Sequence, residues 1–164
     1  MTAQISKTTL TLPSDREIMM TRVFDAPLEL VFRVVTDPEL IPRWWGPRYL
    51  TTRVDRMDLR VGGTWRFIQT APDGSEFAFR GEYREITPPS RIVQTFEFEL
   101  MPGHVVQETM TLEETDGVTS LTVVSLFDSN EDRDGMLNSG MESGAVETHD
   151  RLAELLASLQ SSGV

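Results

Sequence analysis

The sequence predicts an α+β domain in which one curved antiparallel sheet wraps a long C-terminal helix. Three observations carry that prediction. From Thr51 to Phe127 apolar and polar residues alternate in short runs, punctuated at hairpin spacing by Gly62-Gly63, Pro72-Asp73-Gly74, Pro88-Pro89, Pro102-Gly103 and Asp116-Gly117. Strands and helices are segregated along the chain, which favours an antiparallel sheet over βαβ units. From about Ser129 to Leu159 the residues Leu137, Met141, Gly144, Thr148, Leu152, Leu155 and Leu159 recur at the spacing of one helical face.

Taken in order, residues 1–15 form a polar, flexible tail and 16–160 a single domain. Glu17 to Phe24 reads as a strand, with Ile18, Met20 and Phe24 on one face and Met19 and Val23 on the other. Ala26-Pro27 opens a helix, proline being tolerated in its first turn, and Leu28, Val31, Phe32 and Val35 form the apolar stripe. Asp37-Pro38 repeats that punctuation and opens a short second helix that Pro42 curtails. Adjacent Trp44 and Trp45 point about 100° apart on a helix, so one is expected in the core and the other at a wall or rim.

Six hairpin-linked strands follow. They run over Thr51–Met57, Thr64–Thr70, the Phe77–Arg84 region, Arg91–Leu100, His104–Glu113 and Val118–Phe127. The aromatic inner face they create needs a cover, and the final helix is the element expected to supply it. That helix has Ser129 as its N-cap and a favourable Glu147–Arg151 pair four residues apart. Its C-terminal half is leucine-rich, whereas Gly140, Met141, Gly144 and Ala145 leave its N-terminal half without bulk. A lid sealed at one end and hollow at the other is the expectation.

Composition narrows the function. The 164 residues carry a net charge of −11, and from Asp128 onward eight acids face only two arginines. Such a surface repels phosphate backbones, so nucleic acid is not an expected partner. No apolar run approaches the about 18 residues of a membrane span, so no membrane partner is expected either. The absence of cysteine excludes disulfides, thiolate metal sites and cysteine nucleophiles, and fits a cytoplasmic location. Neither His104 nor His149 belongs to a metal-spaced motif, and no phosphate loop, dinucleotide fingerprint or nucleophile elbow occurs. No cofactor and no metal are expected.

The candidate cavity lining is Trp45, Trp65, Phe67, Phe79, Tyr83, Phe96, Phe98, Met110, Met141, Gly140, Gly144 and Thr148, together with Glu108. The same aromatic and methionine residues would otherwise be plain core. Each glycine costs about 1 kcal/mol in a helix interior, so a strand, a partner helix or a ligand is expected to come close there. Glu108 shares a strand face with Val106, Met110 and Leu112. Facing inward, it would be a carboxylate in apolar surroundings with a raised pKa; the alternatives are a twist that exposes it or an arginine that pairs with it. Gln94, on the face of Ile92 and Phe96, is a second polar handle. The two histidines read as satisfied rim residues.

One family resembles the chain throughout. Its marks are Arg22-Val23-Phe24-Asp25-Ala26-Pro27, Val31-Phe32, Thr36-Asp37-Pro38-Glu39, Trp44-Trp45-Gly46-Pro47, Gly62-Gly63-x-Trp65, Asp73-Gly74, Arg80-Gly81-Glu82-Tyr83 and Gly140-Met141-Glu142-x-Gly144. Together and in order they resemble bacterial relatives of the C-terminal domain of the heat-shock protein 90 ATPase activator (AHSA-like). That family lies within the START-like SRPBCC superfamily of cyclases, carriers and pollen allergens. The resemblance spans about Arg16 to Leu159 and implies a helix-grip fold with a cavity between sheet and C-terminal helix. Relatives carry a tryptophan after the second glycine, where this chain has Ala145, which implies a larger or displaced space. The leading expectation is binding of a small apolar or amphipathic molecule without chemistry. The second is an acid–base enzyme of the cyclase or hydrolase kind using Glu108 or a histidine. A chaperone ATPase or stress-response partner is implied by the family name alone, and no preceding domain like the full-length activator's is expected. A homodimer through exposed strand or helix faces is allowed.

Overall fold

The computed structural model describes residues 7–162. Eight strands form one antiparallel sheet: β1 (Thr9–Thr11), β2 (Glu17–Phe24), β3 (Thr51–Met57), β4 (Thr64–Thr70), β5 (Glu76–Thr87), β6 (Arg91–Phe98), β7 (Val106–Thr115) and β8 (Val118–Leu126). Their spatial order is β1-β2-β8-β7-β6-β5-β4-β3, so the six hairpin-linked strands are neighbours in sequence and in space. Strand β2 pairs with the last strand, β8, as Glu17↔Leu126 through Phe24↔Thr119. Irregularities in register at Val54/Arg56 on β3 and Tyr83/Glu85 on β5 add the local bend that bulges supply. The sheet curls over the C-terminal helix, which is the helix-grip arrangement.

Three elements differ from expectation. Thr9–Thr11 pairs with Met19–Thr21 as an edge strand, inside the stretch expected to be a loose tail; a three-residue strand is too short for an alternation pattern. Residues 1–6 of that expected tail lie outside the described residues. The expected second helix is only a 3-10 turn, Ile41–Arg43, because Asp37 Oδ1 takes the Glu39 amide at 2.9 Å in a local turn and Pro42 follows at once. The final helix is two: α2 (Asn130–Asn138) and α3 (Met141–Ser162).

Ser129 caps α2 as expected, its Oγ accepting the Asp132 amide at 3.0 Å. Gly140 then breaks the helix in a left-handed conformation, φ +85°, a C-terminal stop that glycine makes without penalty. It is therefore a hinge between helices and not a small residue within one. Gly144 does lie inside α3, and a side-chain carbon built there would meet no atom within 4 Å. Neither strand nor helix comes close to it.

The sheet has two covers. Helix α1 (Leu28–Thr36) buries Val31 and Val34, so Val34 belongs to the inner stripe and Leu28 to its edge. These two join Phe24, Leu112, Leu121, Leu152, Leu155 and Leu156 in a cluster that fastens the C-terminal half of α3. The segment after α1 covers the aromatic end, where Ile41 packs with Trp65, Phe67, Tyr83 and Ile92. The final helix is thus not the only lid. Arg151 explains how these covers meet. It does not pair with Glu147; its guanidinium donates to the carbonyls of Gly46 (2.7 Å), Arg43 (3.1 Å) and Pro47 (3.4 Å). Glu147 instead accepts the Arg48 backbone amide.

The two glycines should respond oppositely to alanine. Gly144→Ala should raise stability by about 0.5 to 1 kcal/mol through helix propensity. Gly140→Ala should lower it by about 1 to 2 kcal/mol, since a Cβ disfavours the left-handed region. Opposite shifts in chemical-denaturation midpoint check both.

Candidate functional site

Between the sheet and its two covers lies a cavity of about 410 Å³, within the size range of small-ligand pockets. The strands build its floor. Trp65 and Phe67 come from β4, Phe79 and Tyr83 from β5, Phe96 from β6, and Glu108 and Met110 from β7. Period-two geometry puts these side chains on the inner face because each is two or four residues from the next. Met141, Gly144, Ala145 and Thr148 of α3 form the roof.

Trp45 closes the wall. Its ring meets Phe67 edge-on at 5.1 Å and Phe79 at 5.3 Å. Gly46 lets the chain turn there with φ +92°, where a Cβ would fall 1.9 Å from the Gln69 amide nitrogen. Trp44 lines the cavity too, with its indole N–H donated to the Val34 carbonyl at 3.1 Å. Neither tryptophan is a fully buried core residue; both are walls. Leu59, 39% exposed, marks where the lining reaches the surface.

Two residues expected in the lining are elsewhere. Phe98 stacks behind Phe79 at 5.0 Å and buttresses it one step beyond the cavity. Gly140 sits at the surface end of α3, in the break between helices. Conversely, the cavity includes residues not expected there: Met20 of β2, Gln69 of β4, Thr36 at the end of α1 and Ile41 of the segment after it. The alternation Trp65, Phe67, Gln69 is the signal that would have found Gln69.

The polar content is sparse. Glu108 is half-buried and lines the cavity. Its neighbour across the β6–β7 ladder is Gln94, whose amide nitrogen lies 3.4 Å from Glu108 Oε1. Among the described residues no arginine pairs with it. Burial therefore dominates and pushes the carboxyl up to about 7, with Gln94 pulling the other way. Tyr83, also buried, has its hydroxyl pKa raised, chiefly by burial and secondarily by the charge of Asp58.

His149 is not at the rim. It is only 8% exposed, borders the cavity, and packs edge-on against Phe24. Its Nδ1 lies 2.8 Å from Thr8 Oγ1, just ahead of β1. Arg22, on the inner face of β2, is 6% exposed and donates to Asp150 Oδ1 at 2.8 Å. Burial first, and the Arg22 charge second, push the His149 ring down to about 4, opposed by Asp150. The sequence pattern Ile18, Met20, Arg22, Phe24 already puts Arg22 inside. His104, by contrast, is exposed and meets Asp132 at 3.0 Å. Among the described residues no group of three or more His, Asp or Glu side chains is placed to hold a metal ion. No helix among them is long and apolar enough to cross a membrane.

The family model for activator of Hsp90 ATPase homolog 1-like proteins matches residues 25–157. Among solved structures, a crystal structure of the protein CV1439 from Chromobacterium violaceum is 28% identical, with a TM-score of 0.75 over 85% of this chain and 96% of that one. The protein Ms6760 from Mycobacterium smegmatis is 27% identical, with a TM-score of 0.81 over 91% and 96%. A protein from Rhodobacter sphaeroides gives a TM-score of 0.88 at 24% identity over 93% and 99%, a likeness of fold alone. No curated protein matches the sequence.

Glu108 and His149 should impose opposite pH dependences on stability. The folded Glu108 keeps its proton up to about pH 7 while the unfolded carboxyl loses it near 4.5, so its contribution falls as pH rises between those values. Folded His149 stays neutral down to about 4 while the unfolded ring protonates near 6.5, so its contribution falls as pH drops through that window. The stability of Glu108→Gln relative to wild type should grow by roughly 2 to 3 kcal/mol between pH 5 and 7.5. That of His149→Gln relative to wild type should grow instead from pH 6.5 down to 4. Urea unfolding at a series of pH values checks both slopes.

Proposed function

The chain belongs to the family of activator of Hsp90 ATPase homolog 1-like proteins, and from that premise we propose that it binds a small hydrophobic or amphipathic molecule in the cavity between its sheet and α3. The observation that carries this is the unfilled apolar volume beneath Gly144 and Ala145, walled by Trp45, Phe67 and Phe79. Protein interiors are otherwise packed to crystal-like density, and a space of this size lined by aromatic rings and a few polar groups suits a guest. The pocket is preformed, so little binding energy goes to ordering its walls.

An acid–base role is the second reading, favoured by one observation: the Glu108 carboxyl, held near 7, faces that same volume. A group that titrates near neutrality is suited to proton transfer. Chemistry would require a substrate that places an acidic or basic atom at Glu108, and Glu108→Gln would then abolish turnover while leaving binding in place.

The neutral fluorophore N-phenyl-1-naphthylamine should bind saturably at one site and raise the melting temperature. At a hundredfold excess over Kd the native state should gain about 2.7 kcal/mol. Ala145→Trp, which inserts an indole into the roof, should weaken that binding by roughly tenfold or more, a loss of about 1.4 kcal/mol. Absence of saturable fluorescence and of any thermal shift with the wild-type protein would sink the binding proposal.

A further inference from the structure

Resting on that cavity-binding reading, we propose that the guest is an apolar amine, with an aryl or alkyl body against Trp45, Phe67, Phe79 and Phe96 and a protonated nitrogen seated on Glu108. Four observations lead there. Among the described residues the lining contains one carboxyl and no lysine or arginine, so a charge complement for Glu108 would come from the guest. The one hydrogen bond of Glu108 among the described residues is the long one from Gln94, 3.4 Å to Oε1, which leaves accepting capacity on a carboxyl that lines the space. Aromatic faces surround the same volume and attract cations through their quadrupoles. Outside, the net charge of −11 raises the local concentration of cations and lowers that of anions.

The chemistry is an ion pair formed inside a low-dielectric enclosure. Its desolvation cost is offset only when both charges are present and geometry is good. An alcohol would donate one hydrogen bond without charge, and a carboxylate would face Glu108 as a like charge. An amine therefore stands apart from both. The other titratable groups on the lining are Tyr83 from β5 and His149 from α3; β2, β3, β4, β6, β8 and α1 present none there. Tyr83 has its pKa raised and His149 titrates at about 4, so neither changes charge between pH 6 and 8. Glu108 does, and the amine should be preferred more strongly on the alkaline side.

The test uses three probes with one common body: 4-phenylbutylamine, 4-phenylbutanol and 4-phenylbutyrate, titrated calorimetrically into the full chain at pH 6 and pH 8. At pH 8 the amine should bind about tenfold or more tightly than the alcohol, and the carboxylate weakest of all. From pH 8 to pH 6 amine affinity should fall by about tenfold, in step with the ionised fraction of Glu108, while the alcohol changes little. In Glu108→Gln the amine should fall to the level of the alcohol and lose its pH dependence. The wild-type pH series stands independently should that variant misfold. If the amine and alcohol bind wild type equally, or the amine preference survives in Glu108→Gln, the amine assignment is overturned while the cavity proposal stands. If none of the three binds and N-phenyl-1-naphthylamine also fails, the cavity proposal falls and the amine assignment with it. Amine binding that persists unchanged in Ala145→Trp is attraction to the acidic surface and overturns the assignment as well.

Discussion

Helix α3 is bound to the sheet through its C-terminal half and held away from it at the other. Leu152, Leu155 and Leu156 sink into the cluster with Phe24, Val31, Val34, Leu112 and Leu121, a set of contacts worth on the order of 2 kcal/mol for each large side chain buried. One turn earlier the interactions become polar and sideways. Asp150 takes Arg22, His149 meets Thr8, and Arg151 donates to the carbonyls of the segment that carries both tryptophans. Beyond them Thr148, Ala145, Gly144 and Met141 roof the cavity, and Gly144 and Ala145 bring almost no side-chain bulk. The helix is kept from descending to close the gap, because its far end is packed in that cluster and Arg151 ties its middle to the carbonyls of Arg43, Gly46 and Pro47. The cavity is a consequence of that one-ended attachment.

The same device fixes the second cover. Arg151 makes its contacts to backbone carbonyls, which do not depend on the side chains in the turn. Trp44 is tied back to α1 through Val34, while Trp45 projects onto Phe67 and Phe79. A residue on the lid helix therefore positions an aromatic wall that belongs to another element. Loss of the Arg151 contacts would free the wall before it disturbed the leucine cluster, because the two are separate groups of contacts.

How much of this was legible in the sequence follows from the length of each signal. Long alternating runs announced β2 to β8 and the inner positions of Trp65, Phe67, Tyr83 and Phe96, since period two is unambiguous over seven or more residues. Glu108 was legible as a carboxylate on an apolar face, but the missing arginine was not, because cross-strand partners depend on register. The break at Gly140 is not legible in the sequence: glycine fits both a thinly packed helix and a helix stop, and only its φ of +85° separates them. The burial of His149 depended on Thr8 and the three-residue strand β1, a tertiary contact across almost the whole chain. Phe98 kept the correct face yet fell one step outside the cavity, since alternation gives direction and not depth.

Burial is the largest cause of the shift at both Glu108 and His149. It raises the carboxyl of Glu108 and lowers the imidazole of His149, so between about pH 4 and 7 the enclosure holds no net charge from either. The two differ in what relieves them. His149 has Thr8 within hydrogen-bond distance and Phe24 edge-on against it, the surroundings of a structural residue. Among the described residues Glu108 has one long hydrogen bond, and it lines the cavity. A methionine in its place, like Met110 two residues on, would remove the desolvation penalty at no cost in shape. A carboxyl that weakens the fold as pH rises toward 7, lines a mostly apolar space and has only one long hydrogen bond among the described residues is explained by what enters that space, not by what surrounds it.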